Sequence, residues 1–217
     1  MSLRWQRIGS GLVLAGFCAI TFGAQARSFD YSYISGGYEF GQAVVSGSSS
    51  TIQSDGPILS GSWGVLPHFA VLGAYQRLSF SNIPYLSSGH TSVYSVGAEA
   101  HGRIQRRLDV LAAVEYLHEG VNFSYNLPFF GPMTINTTNN GYEAKGGVRW
   151  LATSSLEVDG TLGYRDWNCN CSNNPDTYAM GRVRYFVLRN VSVNGAYYAY
   201  NHGGHLFDVG ASYYFGR

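Results

Sequence analysis

Charge is scarce in this chain. Lys, Arg, Asp and Glu make up 12% of its 217 residues, about half the share of an ordinary soluble domain. A soluble protein so poor in charge is hard to keep dispersed. Runs of like charge are missing too. The 14 bases nearly balance the 13 acids and there is no basic tail, so nothing favours a nucleic-acid partner. After residue 26 no stretch of about 20 apolar residues occurs, which excludes a membrane-spanning helix in the body of the chain. Cysteine is rare: Cys18, Cys169 and Cys171 are the whole set. Glycine and tyrosine, with 28 and 17 copies, are abundant, and mean hydropathy is near zero at −0.07.

The N-terminus reads as a signal peptide. Arg4 and Arg7 supply positive charge, Gly11 to Gly23 is an apolar run too short to span a bilayer, and Ala24-Gln25-Ala26 is a cleavage site. Phe17 before Cys18 does not suit a lipoprotein anchor. Two regions follow: a signal peptide, 1–26, and one domain, 27–217, beginning near Arg27 in an oxidising compartment. Without Arg4 and Arg7, acids outnumber bases by one.

The body of the chain alternates. In Leu156-Glu157-Val158-Asp159-Gly160-Thr161-Leu162-Gly163-Tyr164-Arg165, every second residue is apolar, aromatic or glycine. A strand sends successive side chains to opposite faces, so such a segment has one apolar and one polar face. Ten such segments are readable: 29–45, 58–66, 69–80, 91–104, 108–123, 141–151, 155–167, 177–188, 191–200 and 206–215. Short turns at 66–68, 105–107, 152–154 and 189–190 alternate with longer loops at 46–57, 81–90, 124–140 and 168–176, and a brief one at 201–205. Short periplasmic turns and long outer loops are the pattern of bacterial outer-membrane barrels. The expected fold is all-β: a transmembrane antiparallel up-and-down β-barrel of ten strands, in the outer membrane of a Gram-negative bacterium. Eight strands would require merging two segments, and no pair offers itself. With no soluble tail, no peptidoglycan-binding domain is expected.

The apolar faces should meet lipid. Tyr142, Ala144, Gly146, Val148 and Trp150 point outward, as do Tyr94, Val96, Ala98 and Ala100, and Val191, Val193, Gly195 and Tyr197. In 69–75 both faces are apolar, and Phe69, Val71, Gly73 and Tyr75 are taken as outward. The last segment carries Phe207, Val209, Ala211, Tyr213 and Phe215 on one face, similar to the signal read by the barrel-assembly machinery, although Gly216-Arg217 follows.

The stretches Tyr31-Ser32-Tyr33-Ile34-Ser35-Gly36-Gly37-Tyr38, 67–75 and 141–149 resemble the small outer-membrane β-barrel proteins of xanthomonad-type bacteria. That resemblance implies a single-domain barrel without enzyme chemistry, and it carries over no catalytic residue.

Inside, a mixed set of charges is expected. The acids are Glu39, Glu99, Asp109, Glu115, Glu143, Glu157, Asp159 and Asp208; the bases are Arg103, Lys145, Arg149, Arg165, Arg182 and Arg184. Unpaired charges in a narrow lumen are costly, so a salt-bridged plug is favoured over a polar pathway for ions; reliably open channels come with about 16 strands or more. Enzyme readings find thin support. His90-Thr91-Ser92 puts His and Ser on one face, as in lipid A deacylases, but its surroundings do not match. His118, Asp166, His202, His205 and Asp208 lack the Asp-Asp and Asp-His doublets of omptin-type proteases. Cys169-Asn170-Cys171 offers too few ligands for a metal, and a disulfide is expected. Phe129 and Phe130, in the loop 124–140, either form a contact surface or fold over the barrel mouth or into headgroups. The expectation is a non-enzymatic structural or interaction protein, with a small pore and a rim enzyme as alternatives. Its partners would be outer-membrane lipid, the assembly machinery and an extracellular or host ligand; it would be a monomer without cofactors.

Overall fold

The computed structural model describes residues 29–44, 51–169 and 174–215; the signal peptide assigned to 1–26 lies outside them. The strands are β1 (Tyr33–Val44), β2 (Thr51–Leu66), β3 (Phe69–Ser81), β4 (Leu86–Gln105), β5 (Leu108–Leu127), β6 (Gly131–Leu151), β7 (Leu156–Trp167), β8 (Asp176–Leu188), β9 (Val191–Tyr200) and β10 (His205–Tyr214). Each pairs antiparallel with its chain neighbours, and β1 closes on β10 through a register from Tyr33↔Tyr214 to Gln42↔His205. The ten-strand expectation holds. Both ends of the ladder lie with the short turns, the periplasmic side of such barrels.

The alternation governs which side chains see lipid. Leu162, 70% exposed, Val114, Val96 and Tyr94 all project from the outer wall. Glu99, Glu115, Glu143 and Glu157, one residue out of phase, are buried inside. On β3 the choice between two apolar faces falls as expected: Ala70 and Leu72 are buried inward, while Phe69 and Val71 face out. Tyrosines finish the outer band. Tyr116 donates to Asn140 Oδ1 at 2.8 Å and Tyr142 to Asp166 at 3.1 Å. Such amphipathic rings, apolar below and hydrogen-bonded above, suit the edge of the hydrocarbon layer.

Four boundaries depart from the sequence reading. β2 starts at Thr51 rather than Ile58, and β4 at Leu86 rather than Thr91. The segment Phe29–Ser32, taken as the start of the first strand, precedes the ladder. The largest correction concerns 124–140, expected as a loop. It is a hairpin, paired without a break from Leu127↔Gly131 down to Leu108↔Trp150. Pro128, Phe129 and Phe130 make its turn, and Gly131 takes φ +75°, the left-handed conformation that three-residue hairpin loops require. The run Thr134 to Asn140, polar but for Ile135, is open to water on both faces. With no face to bury, it shows no alternation, and the period-2 signal vanishes while the ladder continues.

The β6–β7 register ends at Gly141↔Trp167. Beyond it Asn140 still accepts from the Asn168 amide at 2.7 Å, while β4 accompanies β5 as far as Leu86↔Tyr125. A three-stranded sheet of β4, β5 and β6 therefore stands above the barrel wall. The Phe129 and Phe130 side chains at its tip are 100% and 87% exposed. They fold over neither the mouth nor the wall.

Charge on the lipid face should be poorly tolerated. Leu162→Arg is expected to cost about 2–4 kcal/mol if it sits near the bilayer midplane. Met180→Lys, which places a similar volume of side chain on the lumen side, should cost clearly less. Heat-modifiable gel mobility and urea titration measure both; equal losses would mean the two faces do not differ as assigned, and a reversed order that they are exchanged.

Candidate functional site

The inward faces of β4 to β8 build the site. Register sets its charges against one another. Glu115 stands opposite Glu143 across β5–β6, and Glu143 opposite Arg165 across β6–β7. Two carboxylates face to face repel. Lys145, two residues along the same face, resolves this by contacting Glu115 directly and Glu143 at 3.4 Å. Arg165 grips Glu143 Oε2 through Nη2 at 2.6 Å and Nε at 2.9 Å. Tyr178 donates to the other oxygen at 2.9 Å. Its ring lies flat over Gly163, where a Cβ would come within 2.2 Å of it. The glycine thus sets the angle of the phenol.

Nearer the periplasm a second cluster forms. Arg149 is opposite Asp159, Glu157 opposite Arg184, and Asp159 opposite Arg182. Arg149 donates to Glu157 through Nη2 at 2.8 Å and Nε at 3.3 Å. Arg184 contacts the same Glu157 oxygen and reaches Asp159 at 2.8 Å. Arg149 is 4% exposed and Glu157 2%. Such a cluster holds only because each ion has an opposite charge and a hydrogen bond; an isolated ion here would cost several kcal/mol.

The fourteen charges expected inside lie on the inward face, Arg103 at its rim, but they are not one network. Glu115, Glu143, Lys145 and Arg165 form one group, and Arg149, Glu157, Asp159 and Arg184 another. Glu99 is 3.7 Å from His101. Arg103, its side chain 52% exposed at the rim, is 3.6 Å from Asp109. Arg182 meets Tyr198 Oη at 3.1 Å, and Tyr198 donates to Asp208 at 3.3 Å. Glu39 receives a hydrogen bond from Gln76. Between the groups lies a cavity of about 190 Å³. The sequence reading missed Tyr178 and Tyr198. Their phase along the strand, shared with Arg182 and opposite to Tyr197, marks them as inward.

The residues weighed for catalysis do not converge. His90 and Ser92 share the outward face of β4. Their register partners are Ser79 and Asn122 for His90, and Arg77 and Gly120 for Ser92. His118 bonds Asn140 at 2.7 Å, His205 meets Tyr197 at 2.6 Å, and His202 lies 3.8 Å from Asp176. Asp166 serves Tyr142 and Asn174, and Asp208 is inside the barrel. Cys169 is disulfide-bonded; the residue expected as its partner, Cys171, lies outside the described residues.

A closed antiparallel barrel with an apolar outer belt and a charged interior defines an outer-membrane β-barrel protein, which belongs in the outer membrane of a Gram-negative bacterium. Two solved structures share the fold. The β domain of the Bordetella autotransporter BrkA is 11% identical, with 86% of this chain and 100% of that one covered and a TM-score of 0.54. The translocator domain of the autotransporter NalP from Neisseria meningitidis is 11% identical over 87% and 90%, with a TM-score of 0.53. The attachment invasion locus protein Ail of Yersinia pestis is 16% identical over 86% and 99%, with a TM-score of 0.44. No family model and no curated protein sequence matches the chain.

The buried cluster should respond sharply to loss of its shared acid. Glu157→Gln leaves Arg149 and Arg184 without their common carboxylate and should cost about 3–5 kcal/mol. Arg103→Ala at the exposed rim should cost about 0–1 kcal/mol. Urea unfolding of the folded protein in detergent measures the difference.

Proposed function

We propose that this protein is a non-enzymatic barrel with a charge-plugged lumen that acts through what it displays outside the cell. The observation that carries the reading is the pairing of lumen charges with one another. Glu157, Asp159, Arg149 and Arg184 close on themselves at one level, and Glu115, Glu143, Lys145 and Arg165 at another. Side chains bound to each other across a narrow bore leave little freedom for a hydrated ion. We place it as a monomer in outer-membrane lipid, delivered by the machinery that reads its aromatic last strand, and group it with the xanthomonad barrels on the three stretches of likeness.

The display surface is the β4–β5–β6 sheet. Among the described residues, 131–139 of β6 pair only with β5, and they carry no charge. An exposed edge of this kind offers unpaired peptide groups to an extended partner, and the Phe129–Phe130 tip adds apolar area. A protein or host ligand is the expected partner. Phe129→Ser with Phe130→Ser should leave stability within about 0.5 kcal/mol, as for other surface changes. It should also lower attachment of cells that display equal amounts of the barrel to protein-coated surfaces. Equal attachment removes the tip from the reading.

A small pore is the second reading, favoured by the cavity and by Glu39 and Arg182, which take no part in the two ion-pair clusters. Planar-bilayer recording separates the two. The closed reading expects no unitary steps from the wild type at neutral pH, and discrete steps would overturn it.

A further inference from the structure

Phe29–Ser32 lead into β1, yet their side chains engage the far wall. In the closed order of strands, β6 is the fifth neighbour of β1 in either direction, so the two stand diametrically opposed. The Arg149 guanidinium of β6 nevertheless lies 4.7 Å from the centre of the Tyr31 ring and 5.4 Å from that of Phe29. Tyr31 stacks on His101 of β4, with ring centres 3.3 Å apart and planes 5° from parallel. Its phenol donates to Asp109 Oδ2 of β5 at 2.7 Å. Phe29 is 8% exposed. Behind the rings, Ser32 pins the segment to the wall. Its carbonyl accepts from Phe215 N at 3.0 Å, and its hydroxyl from Gly64 N at 3.1 Å. Asp30 Oδ1 accepts from the Ser32 amide at 3.1 Å.

We propose that Arg149, His101 and Asp109 form a docking site for the chain's own N-terminal segment, and that Phe29 and Tyr31, seated there, stopper the periplasmic mouth of the lumen. The chemistry is suited to this. The Arg149 charge is balanced by Glu157 and Asp159 on the lumen side, and aromatic faces cover it on the other; a desolvated guanidinium over a ring is attractive. The phenol–carboxylate bond to Asp109 fixes the depth of the seat. The stopper is separate from the lumen clusters. It crosses the mouth, whereas they fill the bore. The inference refines the closed-lumen reading by naming what shuts one end.

The test is photo-cross-linking of the folded full chain with p-azidophenylalanine at position 31, which keeps a ring over Arg149. Heat-modifiable mobility checks folding. Cross-links to peptides of β4, β5 or β6, mapped by mass spectrometry, are expected. Cross-links confined to β1, β2 and β10 overturn the seat. Adding Phe29→Ala should cut the yield of far-wall cross-links several-fold, because both rings cover Arg149; an unchanged yield overturns their joint seat. Neither readout depends on conductance, so a wild type that conducts ends the closed-lumen reading without touching the seat.

Discussion

In hydrocarbon, a peptide group without a partner has no water to turn to, and each one costs several kcal/mol. Everything else in this barrel depends on meeting that constraint. Ten strands meet it only because β1 returns to β10, so that no edge faces lipid. Closure through an antiparallel β1–β10 pair in turn requires an even number of strands, places both ends of the ladder at one rim, and divides side chains between two environments by simple alternation. The ladder relaxes only where water is available. Above the outer band, β6 leaves β7 and continues against β5 alone.

That division turns the usual arrangement of a protein inside out. The largest apolar side chains are exposed, and the interior holds carboxylates and guanidinium groups. A narrow interior too polar for an apolar core is stable when each ion is satisfied by another. Register supplies the pairs: Glu143 against Arg165, Arg149 against Asp159, Glu157 against Arg184. Where register sets like against like, as with Glu115 and Glu143, a cation from the next inward position bridges them. The interior is therefore as specific as an apolar core, and more brittle, because removing one ion strands its partner.

The mouth, the bore and the outer sheet divide the work. Aromatic rings against Arg149 cover the periplasmic end. Paired ions occupy the middle. The β4–β6 sheet carries an uncharged edge and an apolar tip away from the membrane. None of these parts asks the others to move, which suits a rigid platform that presents one surface.

Much of this was legible in the residues. Alternation marked ten strands, their inward and outward faces and the fourteen inward charges, because a period of two reports a wall with different media on its two sides. The same logic hid the outer hairpin: Thr134 to Asn140 has water on both faces, so a strand there looks like a loop. It also hid the seat of Phe29 and Tyr31, whose phase is inward like that of Tyr33 but whose partners lie on strands 70 to 120 residues away. The sequence by itself determined the class of fold, the membrane and the side of the fourteen inward charges, since these follow from local chemistry along one strand. Only the tertiary structure decided which charge meets which, that they form separate groups rather than one, and that Phe29 and Tyr31 reach the opposite wall. Those facts depend on register and closure, which bring together residues that no local pattern connects.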